Sequence, residues 1–258
     1  MNSSATITAL KGIPDIQAGD CLGDILADSL SGNHITVKTH TILLIAQKII
    51  SKAENRAVNL ADITASDEAR KLAERTAKDP RKVEMILRES AEIVRIREAD
   101  VNGQGGVIIS RTHTGFVCAN AGIDESNLSG KDQLLLLPVD ADRSAQQLAE
   151  ALEQRIGAKP GIVITDTFGR PWRNGLVNIA IGTAGVPPII NQAGETDAWG
   201  RTLTVTQPAF ADELAAASGL LMGKADRTPV IVFEGLNWQV RQSSIGELVR
   251  SQKEDLFL

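Results

Sequence analysis

Apolar residues fall in short runs whose spacing switches between strand and helix periods along the chain. Thr6 to Leu10 alternates weakly and predicts a strand, ended by Gly12, Pro14 and Gly19, after which Asp20 is placed to cap a helix through Leu30. Thr41 to Ile50 is apolar and β-branched, which predicts a buried strand ending in Gln47-Lys48-Ile49-Ile50-Ser51-Lys52. Ser66 before Asp67 and Glu68 starts a helix whose first-turn acids suit the dipole. Asp79-Pro80 starts another, with Val83, Ile86 and Leu87 on one face, and the two form a charged helical hairpin.

Val107 to Ile109 and Gly115 to Cys118 predict two strands, Ala119 to Asn127 a polar loop, and Leu134 to Leu137 a short buried strand ended by Pro138. Ser144 to Ile156 repeats Leu148, Leu152 and Ile156 at helical spacing. Gly161 to Thr165 is a strand running into Asp166-Thr167, and Leu176 to Gly182 is another. A helix follows over Asp212 to Met222, capped near Gly223, and then a core strand over Pro229 to Phe233. Strands thus come both in adjacent pairs and with helices between them, which predicts an α+β (mixed α/β) layout rather than a regular βαβ repeat. No internal repeat or linker divides the sequence, so residues 1–258 are expected to form one unit.

Composition narrows the chemistry. Apolar residues make up 43% of the 258 and mean hydropathy is −0.04, enough to bury a sizeable core. The 27 basic against 32 acidic side chains leave a net charge of −5, which argues against a nucleic-acid partner held by bulk charge. No run approaches the ~18 to 20 apolar residues of a membrane span, and Met1 to Asp15 lacks the form of a signal peptide. A soluble cytoplasmic protein is expected. Two cysteines, Cys21 and Cys118, and three scattered histidines make neither a disulfide framework nor a zinc site, so any bound metal is expected to be oxygen-ligated.

Four constellations are candidates for function. Asn120-Ala-Gly122-Ile-Asp124-Glu125-Ser126-Asn127 offers enough oxygens to wrap Mg²⁺ or Mn²⁺, but on its own reads first as an Asx-type turn in which they satisfy local backbone. In Gly161 to Gly175, a strand end presents Asp166 and Thr167 as metal or phosphate ligands, and Arg170 and Arg173 follow in a Gly- and Pro-stiffened loop able to clamp phosphate or carboxylate. Lys48 and Lys52 are either an anion-binding pair or a solvated face. Met222-Gly223-Lys224-Ala-Asp226-Arg227-Thr228-Pro229 lies between a helix and a strand and reads first as a helix C-cap. Familiar alternatives fail on inspection. Gly219 to Lys224 is too short for a Walker loop, Ile108 stands where a dinucleotide fingerprint needs its third glycine, and no Gly-x-Ser-x-Gly elbow exists. Cys118 reads as a core residue rather than a nucleophile.

Taken in order, the motifs resemble the coenzyme F420-0:L-glutamate ligase (F420 γ-glutamyl ligase) family. They are Gly12-Ile-Pro-Asp15, Ala46-Gln-Lys-Ile-Ile-Ser-Lys-Ala-Glu54, Thr114-Gly-Phe-Val-Cys-Ala-Asn-Ala-Gly-Ile-Asp124 with Asn127, Leu137-Pro138, Thr165-Asp-Thr-Phe-Gly-Arg-Pro-Trp-Arg173, Ala180-Ile-Gly182 and Met222-Gly-Lys-Ala-Asp226. Each is weak alone; their joint order is specific.

The resemblance implies a γ-glutamyl ligase-like fold with mixed sheets in an intertwined dimer. It also implies GTP-dependent addition of L-glutamate to the lactyl carboxylate of F420-0 and then of further γ-linked glutamates, through an acyl phosphate. Under it, Asp124, Asp166 and Thr167 match metal ligands for two divalent ions, Mg²⁺ or Mn²⁺, with K⁺ as a further cation. Gly12, Ile13, Pro14, Asp15, Gln47, Lys48, Lys52, Asn127, Met222, Gly223, Lys224, Ala225, Asp226, Arg227, Thr228 and Pro229 match nucleotide-contacting positions. Arg170 and Arg173 are the candidates for catalytic work on the phosphoryl group or an incoming carboxylate. Two departures are expected: Lys224 stands where many relatives carry an acid, and the form is stand-alone, without the nitroreductase-like domain fused in some relatives. The competing expectations are a metal-dependent phosphohydrolase and a non-catalytic deazaflavin-binding protein.

Overall fold

The structure is a computed structural model and describes residues 4–102, 104–126, 130, 132–223, 226–251 and 253–255. In chain order the elements are β1 (Thr6–Ala9), α1 (Leu22–Gly32), β2 (Ile42–Ala46), α2 (Gln47–Ala53), β3 (Ala57–Asn59), α3 (Asp67–Thr76), α4 (Pro80–Arg88), β4 (Ser90–Arg97), β5 (Val107–Thr112), β6 (Val117–Ala119) and β7 (Gln133–Leu135). They continue with α5 (Ala141–Ile156), β8 (Gly161–Arg170), β9 (Arg173–Ala184), α6 (Phe210–Ser218) and β10 (Val230–Glu234).

A five-stranded mixed sheet in the order β1-β10-β2-β8-β9 forms the centre, with β2 and β8 its parallel pair. β2 reads Ile-Leu-Leu-Ile-Ala without alternation because both of its faces are covered. Leu43 and Ile45 join one core with Leu26 and Leu30 of α1 and Leu148 and Leu152 of α5. Ile42 and Leu44 point the other way, into a core with Leu214 and Ala215 of α6 and with Trp238. Gly182 lets α5 start hard against β9, since a Cβ there would lie 2.6 Å from the backbone of Ala141. Beside this body, α3 and α4 pack on the antiparallel sheet β4-β5-β6 through Leu72, Val83, Ile86 and Ile108, and β3 pairs with β7. The fold is α+β with mixed sheets, and among the described residues no helix is long and apolar enough to cross a membrane.

Several local details differ from the sequence pattern. The predicted strand over Thr41 to Ile50 stops at Ala46, and α2 begins at the next residue. Ile49 and Ile50 are therefore buried from a helix and not from a strand. Asp20 does not cap α1; Cys21 holds that position, and the Asp20 carboxylate accepts from the Gln17 backbone N–H at 2.8 Å. The predicted loop carrying Arg170 and Arg173 is the end of a long β8–β9 hairpin, in which those two residues pair across the Pro171-Trp172 turn. The sequence pattern does not predict β4, because its Glu and Arg residues mask a strand in which no position is fully buried.

Candidate functional site

The strand-to-helix step from Ala46 to Gln47 brings α2 to the carboxyl end of the parallel pair, where Ala46 lies opposite Thr165. Ligands favour such strand ends in sheets with helical crossovers. A cavity of about 640 Å³ opens there. Its wall takes Ile13, Pro14 and Asp15 from the loop after β1, Gln47, Lys48 and Lys52 from α2, and Asp124 from the loop after β6. Asp166 and Thr167 enter from β8, and Met222, Gly223, Arg227, Thr228 and Pro229 from the segment leading to β10. Stretches far apart in sequence thus meet on one surface.

Asp124 is fixed by its backbone. Asn120, Ala121 and Gly122 all have left-handed φ, at 53°, 54° and 70°, and the loop then closes an isolated bridge between Asp124 and Leu135. Two successive non-glycine residues in that region carry strain of the kind that collects at functional loops. The Asp124 carboxylate accepts from Lys48 Nζ at 2.7 Å through Oδ2, and from the Ser126 backbone N–H and hydroxyl at 2.8 Å each through Oδ1. Lys48 Nζ also contacts Ser126 Oγ at 2.6 Å. Burial works to raise the Asp124 pKa, but the Lys48 and Ser126 hydrogen bonds and the Lys48 charge outweigh it and hold the carboxyl below the usual range.

A second cationic arm stands beside the first. Lys52 Nζ lies 2.7 Å from Asp15 Oδ1, and its hydrogen bond is the main reason that the Asp15 carboxyl is lowered, against a smaller opposing effect of burial. Lys48 and Lys52 are one helical turn apart, so α2 presents both to the same cavity. Gln47 is buried; its Oε1 accepts from Ser51 Oγ at 2.7 Å, while its Nε2 is buried without a hydrogen-bond partner among the described residues.

On β8, a register shift between Ile164 and Thr165 breaks the regular pairing with β9 just before Asp166. Bulges of this kind re-aim side chains next to sites. The Thr167 hydroxyl donates to Asn178 Oδ1 at 2.9 Å, and Asn178 Nδ2 lies 3.5 Å from Ser218 Oγ at the end of α6. Asn178 lines the cavity, yet no sequence motif marks it; it reads only as one polar residue in a strand. Cys118 also lines the wall, but burial first and the Asp166 charge second push its thiol up to about 12, so it stays protonated.

Some expected residues stand elsewhere. Arg170 and Arg173 lie exposed at the tip of the β8–β9 hairpin and are not part of the cavity wall. Gly12, with φ 82°, and Asp226 flank wall residues without lining the cavity. Asn127, Lys224 and Ala225 lie outside the described residues.

Among the described residues, no three His, Cys, Asp or Glu side chains gather as a metal cluster. What faces the cavity is a set of hard oxygen donors, the Asp124 and Asp166 carboxylates and the Thr167 hydroxyl. That set fits Mg²⁺ or Mn²⁺, which keep waters and take phosphate oxygens to complete their coordination, and does not suit a soft metal.

The family profile described as F420-0:Gamma-glutamyl ligase matches residues 12–235. A protein named coenzyme F420:L-glutamate ligase from Methanothermobacter thermautotrophicus is 41% identical over 256 residues, covering 98% of each chain. A protein of the same name from Methanopyrus kandleri is 40% identical over 247 residues, 94% of this chain and 93% of its own. Another, from Archaeoglobus fulgidus, is 35% identical over 249 residues, 96% of this chain and 94% of its own. With the match spanning both lysines of α2, the Asp124 loop and the β8 strand end, the chain belongs to the F420-0:gamma-glutamyl ligase family.

Proposed function

We propose that this protein joins the amino group of L-glutamate to the lactyl carboxylate of F420-0 at the expense of GTP, and then adds further γ-linked glutamates. The observation that carries the reading is the convergence of Lys48, Lys52, Asp124, Asp166 and Thr167 on one cavity of about 640 Å³ in a member of this family. A nucleotide triphosphate laid along α2 meets Lys48 and Lys52 as charge-assisted donors for its phosphate oxygens. An F420-0 carboxylate oxygen attacks the γ-phosphorus while the bond to the bridging oxygen breaks, leaving GDP and an acyl phosphate. The glutamate nitrogen then attacks the acyl carbon, loses a proton, and expels inorganic phosphate. Asp124, Asp166 and Thr167 would hold a divalent cation, which when bound neutralises charge on the transferring phosphoryl group.

We further propose a homodimer. Trp172 at the hairpin tip is 80% exposed and Trp199 87%, with Leu176 and Val205 also exposed, large apolar side chains that a second copy of the chain would cover. In a dimer the same hairpin carries Arg170 and Arg173 toward a partner's cavity, which reconciles their exposed position with a role on phosphate or carboxylate. The test is incubation with GTP, Mn²⁺, L-glutamate and F420-0, followed by mass spectrometry. Added glutamate mass is the expected result. GTP hydrolysis indifferent to F420-0 and glutamate would replace this reading with a phosphohydrolase, and deazaflavin binding without nucleotide turnover would replace it with a carrier.

A further inference from the structure

A second cavity of about 250 Å³ lies behind the Asp124 loop. Its apolar floor is Ile86 of α4, Leu134 of β7 and Ile123, and Ile123 also lines the larger cavity, so the partition between the two is the loop itself. Its rim is charged in both senses. Lys78 and Asp79 precede α4, Lys82 lies within its first turn, and Glu125 faces Lys82 across a 2.5 Å ion pair. Asp79 is spoken for, since it caps α4 and pairs with Arg81. The Lys78 ammonium has no side-chain partner among the described residues. Asn120 completes the wall, and its Oδ1 is buried with no donor among the described residues, a condition that costs free energy until a donor reaches it.

This inventory selects a ligand. The cavity is below the ~300 Å³ at which nucleotide- or drug-sized pockets begin and is of a size for one amino-acid unit. Two ammonium groups and two acceptors side by side suit neither a simple anion nor a simple cation; they suit a ligand with two carboxylates and an N–H donor. Resting on the ligase reading above, we propose that this cavity binds a glutamyl group, either free L-glutamate or the terminal residue of a γ-glutamyl tail. Its carboxylates lie on Lys78 and Lys82; the ammonium of free glutamate donates to both Glu125 and Asn120 Oδ1, whereas the single amide N–H of a tail residue donates to one of them. Consecutive residues of one bridged loop face opposite ways: Asp124 lines the phosphoryl-transfer cavity and Glu125 lines this one, with Cα atoms ~3.8 Å apart. A glutamyl group here is therefore held one loop's thickness from the site where its amide bond is made.

The experiment is direct binding to the full chain without turnover, by calorimetry, using L-glutamate, F420-0 and the coenzyme carrying one glutamate as three separate probes. Lys78→Ala and Lys82→Ala should each weaken the glutamyl probe about 10-fold, with GTP affinity changed by less than about twofold, and Lys82→Arg should restore most of the Lys82 loss. If free glutamate weakens, it is the occupant; if only the glutamylated coenzyme weakens relative to F420-0, the tail is. Unchanged binding of both glutamyl probes in both alanine variants would overturn the proposal. The ligase reading fails separately, as GTP hydrolysis without glutamate incorporation by the wild-type protein, because these binding arms involve no turnover.

Discussion

The ammonium of Lys48 sits 2.7 Å from the carboxylate of Asp124, so the residue proposed to meet the nucleotide and the residue proposed to hold a cation neutralise each other. The pair is less than a quarter exposed on either side, so solvent screens it only in part. On the reading proposed above, a cation held at Asp124 would compete with Lys48 for its carboxylate, and the released ammonium would then serve a phosphate oxygen.

Lys48→Ala should therefore tighten Mn²⁺ binding in the absence of nucleotide while weakening GTP. The lost charge-assisted contact is worth roughly 1.5 to 3 kcal/mol, or about 10- to 150-fold in GTP affinity. Titration of Mn²⁺ by electron paramagnetic resonance, with and without GTP, reads both changes. Weaker Mn²⁺ binding by the variant would contradict the displacement.

Asp166→Asn should abolish turnover and leave the thermal midpoint close to wild type, because Asp166 lines the cavity and not the core. Full activity of this variant, or of the wild type in excess chelator, would refute a cation role for this residue.

Asn178→Ala should weaken Mn²⁺ about 10-fold by freeing the Thr167 hydroxyl, an effect typical of groups that orient a ligand. Asn178→Asp keeps the acceptor and should recover much of the loss. Equal Mn²⁺ affinity in Asn178→Ala and wild type would show that Thr167 needs no such support.

Stability should carry a signature of Glu84 at low pH. Hydrogen bonds from the Ser66 hydroxyl and backbone N–H, opposed by burial and aided by Arg88, lower this largely buried carboxyl from 4.5 to about 2. A folded pKa below the unfolded one adds stability that is fully present above the unfolded value and is lost as pH falls through the folded one. Glu84→Gln should thus destabilise by about 1 kcal/mol at neutral pH, with the difference shrinking below pH 4.5 and gone near 2. A difference that is constant with pH would assign the effect to packing.

Trp172→Ser, at an 80% exposed position on the hairpin tip, should shift the protein toward monomer while leaving the fold of each chain intact. Light scattering across a dilution series would show it. A monomeric wild type that is fully active would remove the case for a dimer.

How much of this was legible from residues alone varied with how local the determinant is. The starts of α3 and α4 were readable because Ser66 and Asp79 cap them through their own side chains. The start of α2 was not, since Ala46 makes no side-chain cap and Ile49-Ile50 continues the apolar run of β2; only packing against the sheet shows that these residues are helical. The residues that meet in the large cavity were legible as motifs, but their pairing was not. Nothing local in Asn178, Ser126 or Glu125 announces which face of a strand or loop each occupies.

The register between β2 and β8 has a further consequence. Ala46 is matched to Thr165 by the hydrogen-bond ladder, so the offset between the lysines of α2 and the acid and hydroxyl of β8 is counted in whole residues. Loops elsewhere in the chain can grow or shrink without altering that offset. A single insertion or deletion within either strand cannot, because it would move one half of the site by a full ~3.3 Å step and turn its side chains to the opposite face. Lineage variation and engineering of this protein should accordingly accumulate length changes outside these two strands, which act as a fixed gauge for the distance between the two walls of the proposed site.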